Sequence, residues 1–237
     1  MAGVTEGRTV MRESGMTLSE KLGASAGMWA VLWLGINYLI LQSASADPSS
    51  PEGDFVRAML SERMRWEWAT ALRVMGGIMI VWFMGSLAGR LRLAEGEPGR
   101  LSSIAFGIGT VWGAIWLLSA MFNSAAIVLA ADYQFPAGAR LAAILAREMI
   151  PILTPPVVFA LALATSFVAM RFGGFSTLYT NATAAFTVIL LVLAIVEWYG
   201  PGNLGPINLA LSFAWIAATS ALLIPAYHPP DMVRGSR

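Results

Sequence analysis

The sequence contains no cysteine, so disulfides, thiolate metal sites and cysteine nucleophiles are excluded along all 237 residues. Histidine occurs once, as His228 in the polar tail. One imidazole outside the apolar blocks can form neither a paired-histidine haem site nor a histidine metal cluster at membrane depth. A serine–histidine dyad is excluded there for the same reason. Lysine also occurs once, as Lys21, which leaves no amine inside an apolar block for a Schiff base. No glycine-rich phosphate loop is present: Gly107-Ile108-Gly109 lies within an apolar run and lacks the strand–turn–helix setting such a loop needs. Charge is scarce as well. Charged residues make up 12% of the chain, against about 25% in an ordinary soluble domain, and a net charge of +1 offers nucleic acid no basic surface. From these absences we expect no enzyme active site, no cofactor, no metal and no nucleic-acid partner.

What the sequence has in quantity is apolar surface. Residues of hydrophobic type make up 57% of it, and they come in unbroken blocks of about twenty, the length that crosses a hydrocarbon core as a helix. The fold class expected is therefore all-α, a polytopic transmembrane helix bundle of about six spans. The spans fall at about 22–41, 66–88, 101–129, 149–170, 178–198 and 204–223. Residues 1–21 form an N-terminal segment, 22–224 the six-span domain and 225–237 a polar tail.

Thr17 and Glu20 read as a capping box opening span one. Ala44-Ser45-Ala46 resembles a signal-peptide cleavage site, but the apolar stretch before it is long for a signal core, so an uncleaved span is expected. In the first loop, Ser50 before Pro51 suits a helix N-cap. Phe55, Met59 and Leu60 at helical spacing predict a surface helix running straight into span two. Residues 136–148 read as an interfacial helix, with span four broken early by Pro151, Pro155 and Pro156. Gly200-Pro201-Gly202 marks a turn before span six.

Basic residues set the expected orientation. Nine arginines and lysines fall on the side of the two termini and five on the opposite side, with Arg73 inside a span. Both termini are thus expected in the cytoplasm. Arginine so dominates lysine that a GC-rich bacterial genome is the expected source.

Polar residues inside spans are costly and so informative. An arginine at the bilayer centre costs about 2.5–3.5 kcal/mol on insertion scales. Arg73 lies five residues beyond Trp68; it either snorkels outward or pairs with Glu148 or Glu197. Asn37, Tyr38, Arg73, Asn123, Glu148 and Glu197 all map to the outer half, whereas the inner half holds mostly hydroxyls such as Thr110, Thr165 and Ser166, with Asn181 an exception. Together with the prolines of span four, the outer group outlines a polar pocket or docking site; interhelical hydrogen bonding alone would also account for it. Gly85-xxx-Gly89 and Gly109-xxx-Gly113 offer faces for close helix approach. Trp112 and Trp116, one turn apart, form a stripe toward a neighbouring helix or lipid.

The stretch Trp82-Phe83-Met84-Gly85-Ser86-Leu87, then Arg90-Leu91-Arg92, Ala94-Glu95-Gly96 and Gly99-Arg100-Leu101-Ser102, resembles a group of small six-span bacterial membrane proteins catalogued as a domain of unknown function. The resemblance implies a fold and an inner-membrane location and transfers no site residue. The leading functional expectation is a non-enzymatic accessory or scaffold subunit of a larger membrane complex, with lipids and a protein partner. The alternative is a small transporter or lipid-handling protein that uses the outer polar cluster.

Overall fold

In a computed structural model of the chain, residues 18–44, 46–47, 49–199 and 204–224 are described. The Thr17–Glu20 capping box, the Gly200-Pro201-Gly202 turn, the tail with His228 and the side chain of Glu197 lie outside the described residues. The described elements are all helices: α1 (Leu18–Gln42), α2 (Glu52–Ser61), α3 (Arg63–Glu95), α4 (Arg100–Ala131), α5 (Pro136–Phe172), α6 (Thr177–Tyr199) and α7 (Gly205–Leu223). All except α2 contain a stretch long and apolar enough to cross a membrane, six in total. The protein is a multi-pass integral membrane protein built as a helical bundle.

Three local expectations are corrected. Ser50 does not cap α2: Pro51 holds the cap position without a side-chain bond, and the Ser50 hydroxyl donates to the Asp47 carbonyl at 2.6 Å. Nor does α2 run into α3. Glu62, at φ −112°, breaks the helix between Ser61 and Arg63, which lets α2 fold back so that Phe55 and Met59 are buried. Finally, the three prolines do not interrupt span four. The expected interfacial helix and span are one continuous helix, Pro136–Phe172, with Pro151, Pro155 and Pro156 inside it. Neighbouring helices in a membrane bundle support a proline-bearing helix that would break in isolation.

Helix α3 lies between α1 and α4, and α5 packs against α4, α6 and α7. Contact between α1 and α7 closes the bundle, while α6 leans on α5 and meets α7 only lightly. The main core joins Leu34, Phe83, Trp112, Leu161 and Ile216. A second apolar cluster, with Phe55, Met59, Trp66, Ile127 and Ala142, joins α2 to the adjoining ends of α3, α4 and α5. Its centre is an edge-to-face pair, Phe55 on Trp66, with ring centroids 6.3 Å apart.

At the opposite end the α3–α4 turn is stitched by Glu95. Its carboxylate accepts the Leu101 and Ser102 N–H groups, both at 2.9 Å, and so caps α4 with a side chain from the preceding helix. Arg90 reaches the neighbouring turn, donating to the Gly174 carbonyl at 2.9 Å.

Only one of the two glycine motifs serves close packing. A Cβ on Gly113 would sit 3.1 Å from the Gly77 carbonyl oxygen, and one on Gly77 at 3.1 Å from the Gly113 oxygen. Gly109 abuts Met84. Gly85 and Gly89 have nothing within 4 Å of an added Cβ. Gly113→Ala is therefore expected to lower stability by about 1–3 kcal/mol through overpacking against backbone. Gly85→Ala should raise it by up to about 1 kcal/mol, through helix propensity alone. Unfolding midpoints in detergent check both signs, and a loss at Gly85 equal to that at Gly113 would reveal a close partner for that face.

Candidate functional site: a cavity around Arg73

The site arises from two helix stripes that meet antiparallel. On α3, Trp66, Thr70 and Arg73 follow i, i+4, i+7 spacing; on α4, Trp116, Ser119 and Asn123 follow i, i+3, i+7. Because the helices run in opposite directions, Arg73 meets Ser119 and Thr70 meets Asn123. The Arg73 Nη1 donates to Ser119 Oγ at 2.8 Å, and Asn123 Nδ2 donates to Thr70 Oγ1 at 2.7 Å. Asn123 Nδ2 also lies 3.3 Å from the Trp66 carbonyl.

From the other flank, α1 supplies Asn37. Its amide spans a gap in polarity, with Nδ2 donating to the Ala69 carbonyl at 2.7 Å and Oδ1 accepting from Arg73 Nε at 3.2 Å. A third helix contributes backbone: the Ala146 carbonyl of α5 accepts Ser119 Oγ–H at 2.6 Å and Arg73 Nη1 at 3.4 Å. Arg73 is only 5% exposed. Among the described residues no carboxylate lies within 4 Å of it, and Nη2 has no hydrogen-bond partner. The expected Arg73–Glu148 pair is thereby corrected. Glu148 is half exposed and lies 3.7 Å from Arg147 instead. Among the described residues the guanidinium is held by neutral oxygens from three helices, which fix its position.

These residues border a cavity of about 840 Å³, within the range typical of small-molecule sites. Asn37, Tyr38, Arg73, Asn123, Glu148, Pro151, Pro155 and Pro156 all line it, together with Trp66 and Trp116. Ala194 of α6 and Gly205, Pro206 and Leu209 of α7 form its low wall. The prolines shape the wall chemically. A proline has no N–H to give the carbonyl four residues before it, so Pro151, Pro155 and Pro156 leave Arg147, Pro151 and Ile152 without their helical donors. All three of those residues also line the cavity.

Asp47 and Arg147, also among the lining residues, sit across the mouth 3.7 Å apart. The Ser49 backbone N–H and hydroxyl donate to Asp47 at 3.0 and 2.7 Å. Those two bonds hold its carboxyl below the ordinary aspartate value, and Arg147 adds to the effect. A carboxyl depressed in the folded protein keeps its stabilising charge above the ordinary value and loses it as pH falls through the folded value. At neutral pH this link is therefore intact.

Ser119, the Ala146 carbonyl, Asp47 and Arg147 were not singled out from the sequence, and Trp116 was read only as part of a packing stripe with Trp112. For Ser119 and Trp116 a signal existed, since both share the helical face of Asn123. The inner hydroxyls behave differently: Ser166 and Thr187 lie 3.2 Å apart, and Tyr179 and Thr219 3.3 Å, joining α5 to α6 and α6 to α7. Among the described residues no group of three or more metal-ligating side chains occurs.

No protein-family model matches the chain, and no curated protein or solved structure is significantly similar to it.

Proposed function

We propose that this is a non-enzymatic membrane protein that binds an amphipathic small molecule or lipid in the Arg73 cavity, as a small transporter or lipid-handling protein does. The observation that carries the reading is the guanidinium at the cavity wall, which meets no carboxylate among the described residues. A buried charge is retained against its desolvation cost where it has work to do, and helix glue alone is served by neutral amides and hydroxyls such as Asn123 and Thr70. The arginine distribution supports an inner-membrane protein with cytoplasmic termini, which turns the cavity toward the outer face.

Native mass spectrometry in a gentle detergent tests the reading. Wild-type protein is expected to retain one small molecule or lipid. Ala194→Trp, which fills the cavity from its low wall, is expected to lose it. A chain that carries no small molecule but co-purifies with a stoichiometric protein would instead establish the accessory-subunit reading.

A further inference from the structure

The hydrogen-bonding groups around the cavity are sorted by wall. Beside the guanidinium, the buried indole Nε1 atoms of Trp66 and Trp116 have no hydrogen-bond partner, and both residues line the cavity. Arg73 Nη2 likewise has none among the described residues. The two indole N–H groups are sealed within the packing, so the donor that the cavity wall offers a ligand is the charged one, Arg73 Nη2. Such a donor is costly when left unpaired. The acceptors without helical donors lie elsewhere, on the α5 wall at Arg147, Pro151 and Ile152. A neutral or cationic ligand would leave the Arg73 wall unsatisfied. An anionic oxygen group would satisfy it with charge-assisted bonds, the strong class.

Height supports the same chemistry. Arg73 lies about 33 Å from the C-terminal end of α3, at 1.5 Å per residue. Helix α6 ends at about the same height above its own start. The guanidinium therefore stands where the short helices stop, about one hydrocarbon thickness from the far turns. That is head-group depth, with apolar Leu209 and Ala194 beside it.

We propose that the cavity is selective for anionic oxygen head groups, carboxylate or phosphate, received by the Arg73 guanidinium. The inference rests on the cavity being a ligand site. The shared chemistry has two possible sources: an anionic amphiphile from the lipid, or a free anion from water.

The test measures the unfolding midpoint of the full chain in phosphatidylcholine nanodiscs titrated with inorganic phosphate, dodecyl phosphate or dodecanol. A saturable upward shift with dodecyl phosphate and none with dodecanol supports the proposal and names the lipid source. A shift with inorganic phosphate also supports it, naming the free anion. In Arg73→Gln the apparent affinity should fall about tenfold or more, the worth of a lost charge-assisted bond. Should Arg73→Gln fail to fold, Arg73→Lys keeps the charge and removes the planar guanidinium fork; a several-fold loss is then expected. Equal shifts with dodecanol and dodecyl phosphate, or affinity unchanged in both variants, would overturn anion selectivity while leaving the cavity a ligand site. No shift with any of the three probes would overturn both.

Discussion

Trp112→Ala is expected to lower unfolding free energy by about 3–5 kcal/mol, the range for removing a large aromatic from a packed interior. Trp112 is fully buried in the main core. Its Nε1 points to Thr154 Oγ1 of α5 at 3.4 Å, so truncation opens a void and leaves that hydroxyl without its donor. The loss should be specific to position rather than to residue type. Trp82 is 45% exposed, and Trp82→Ala should cost less than about 1 kcal/mol because lipid replaces the lost contacts. Titration with denaturing detergent at equilibrium measures both. Comparable losses at the two positions would mean that Trp82 has a protein partner on its exposed face.

The second large effect has the opposite sign. Pro156→Ala is expected to raise stability by about 1–3 kcal/mol, since an interior proline costs a helix about 3 kcal/mol relative to alanine. Pro156 is exposed, so alanine sacrifices little packing, and its N–H restores the missing bond to the Ile152 carbonyl. The same change removes an acceptor from the cavity wall that an anionic head group does not use, so stability should rise while ligand retention stays unchanged. Native mass spectrometry alongside detergent unfolding reads both quantities. A less stable Pro156→Ala would show that the pyrrolidine ring packs more favourably than the restored bond.

Which features could be read in the sequence follows from their physical range. Six apolar blocks declare six membrane helices because bilayer thickness acts on each block alone. The polar set Asn37, Arg73, Asn123 and Glu148 stands out for a related reason, since each is costly in hydrocarbon, and the structure places all four on one cavity. How Arg73 is partnered could not be read. A search for opposite charge points to Glu148, whereas the bonds actually made go to an amide, a hydroxyl and a main-chain carbonyl. Backbone carbonyls have no letter in the sequence. The prolines mislead in the same way. Local propensity breaks α5 at Pro151, whereas packing against α4, α6 and α7 carries it through. The two glycine motifs look alike in spacing, and only tertiary contact separates Gly109 and Gly113 from Gly85 and Gly89.

The unequal lengths of the helices bear on the membrane itself. Helix α5 spans about 55 Å and α7 about 28 Å, at 1.5 Å per residue. No bilayer matches both. A thickness suited to α7 leaves the tall helices standing proud, with α2 and its apolar cluster as a parapet on one flank. A bilayer matched to the α6 and α7 spans would come level with the cavity on that flank. Hydrophobic mismatch is relieved by tilt or by local thinning, and the two shortest spans, α6 and α7, are here the ones that form the low wall. Bilayer thickness, set by acyl-chain length, is thereby expected to govern how widely the cavity stands open to the leaflet.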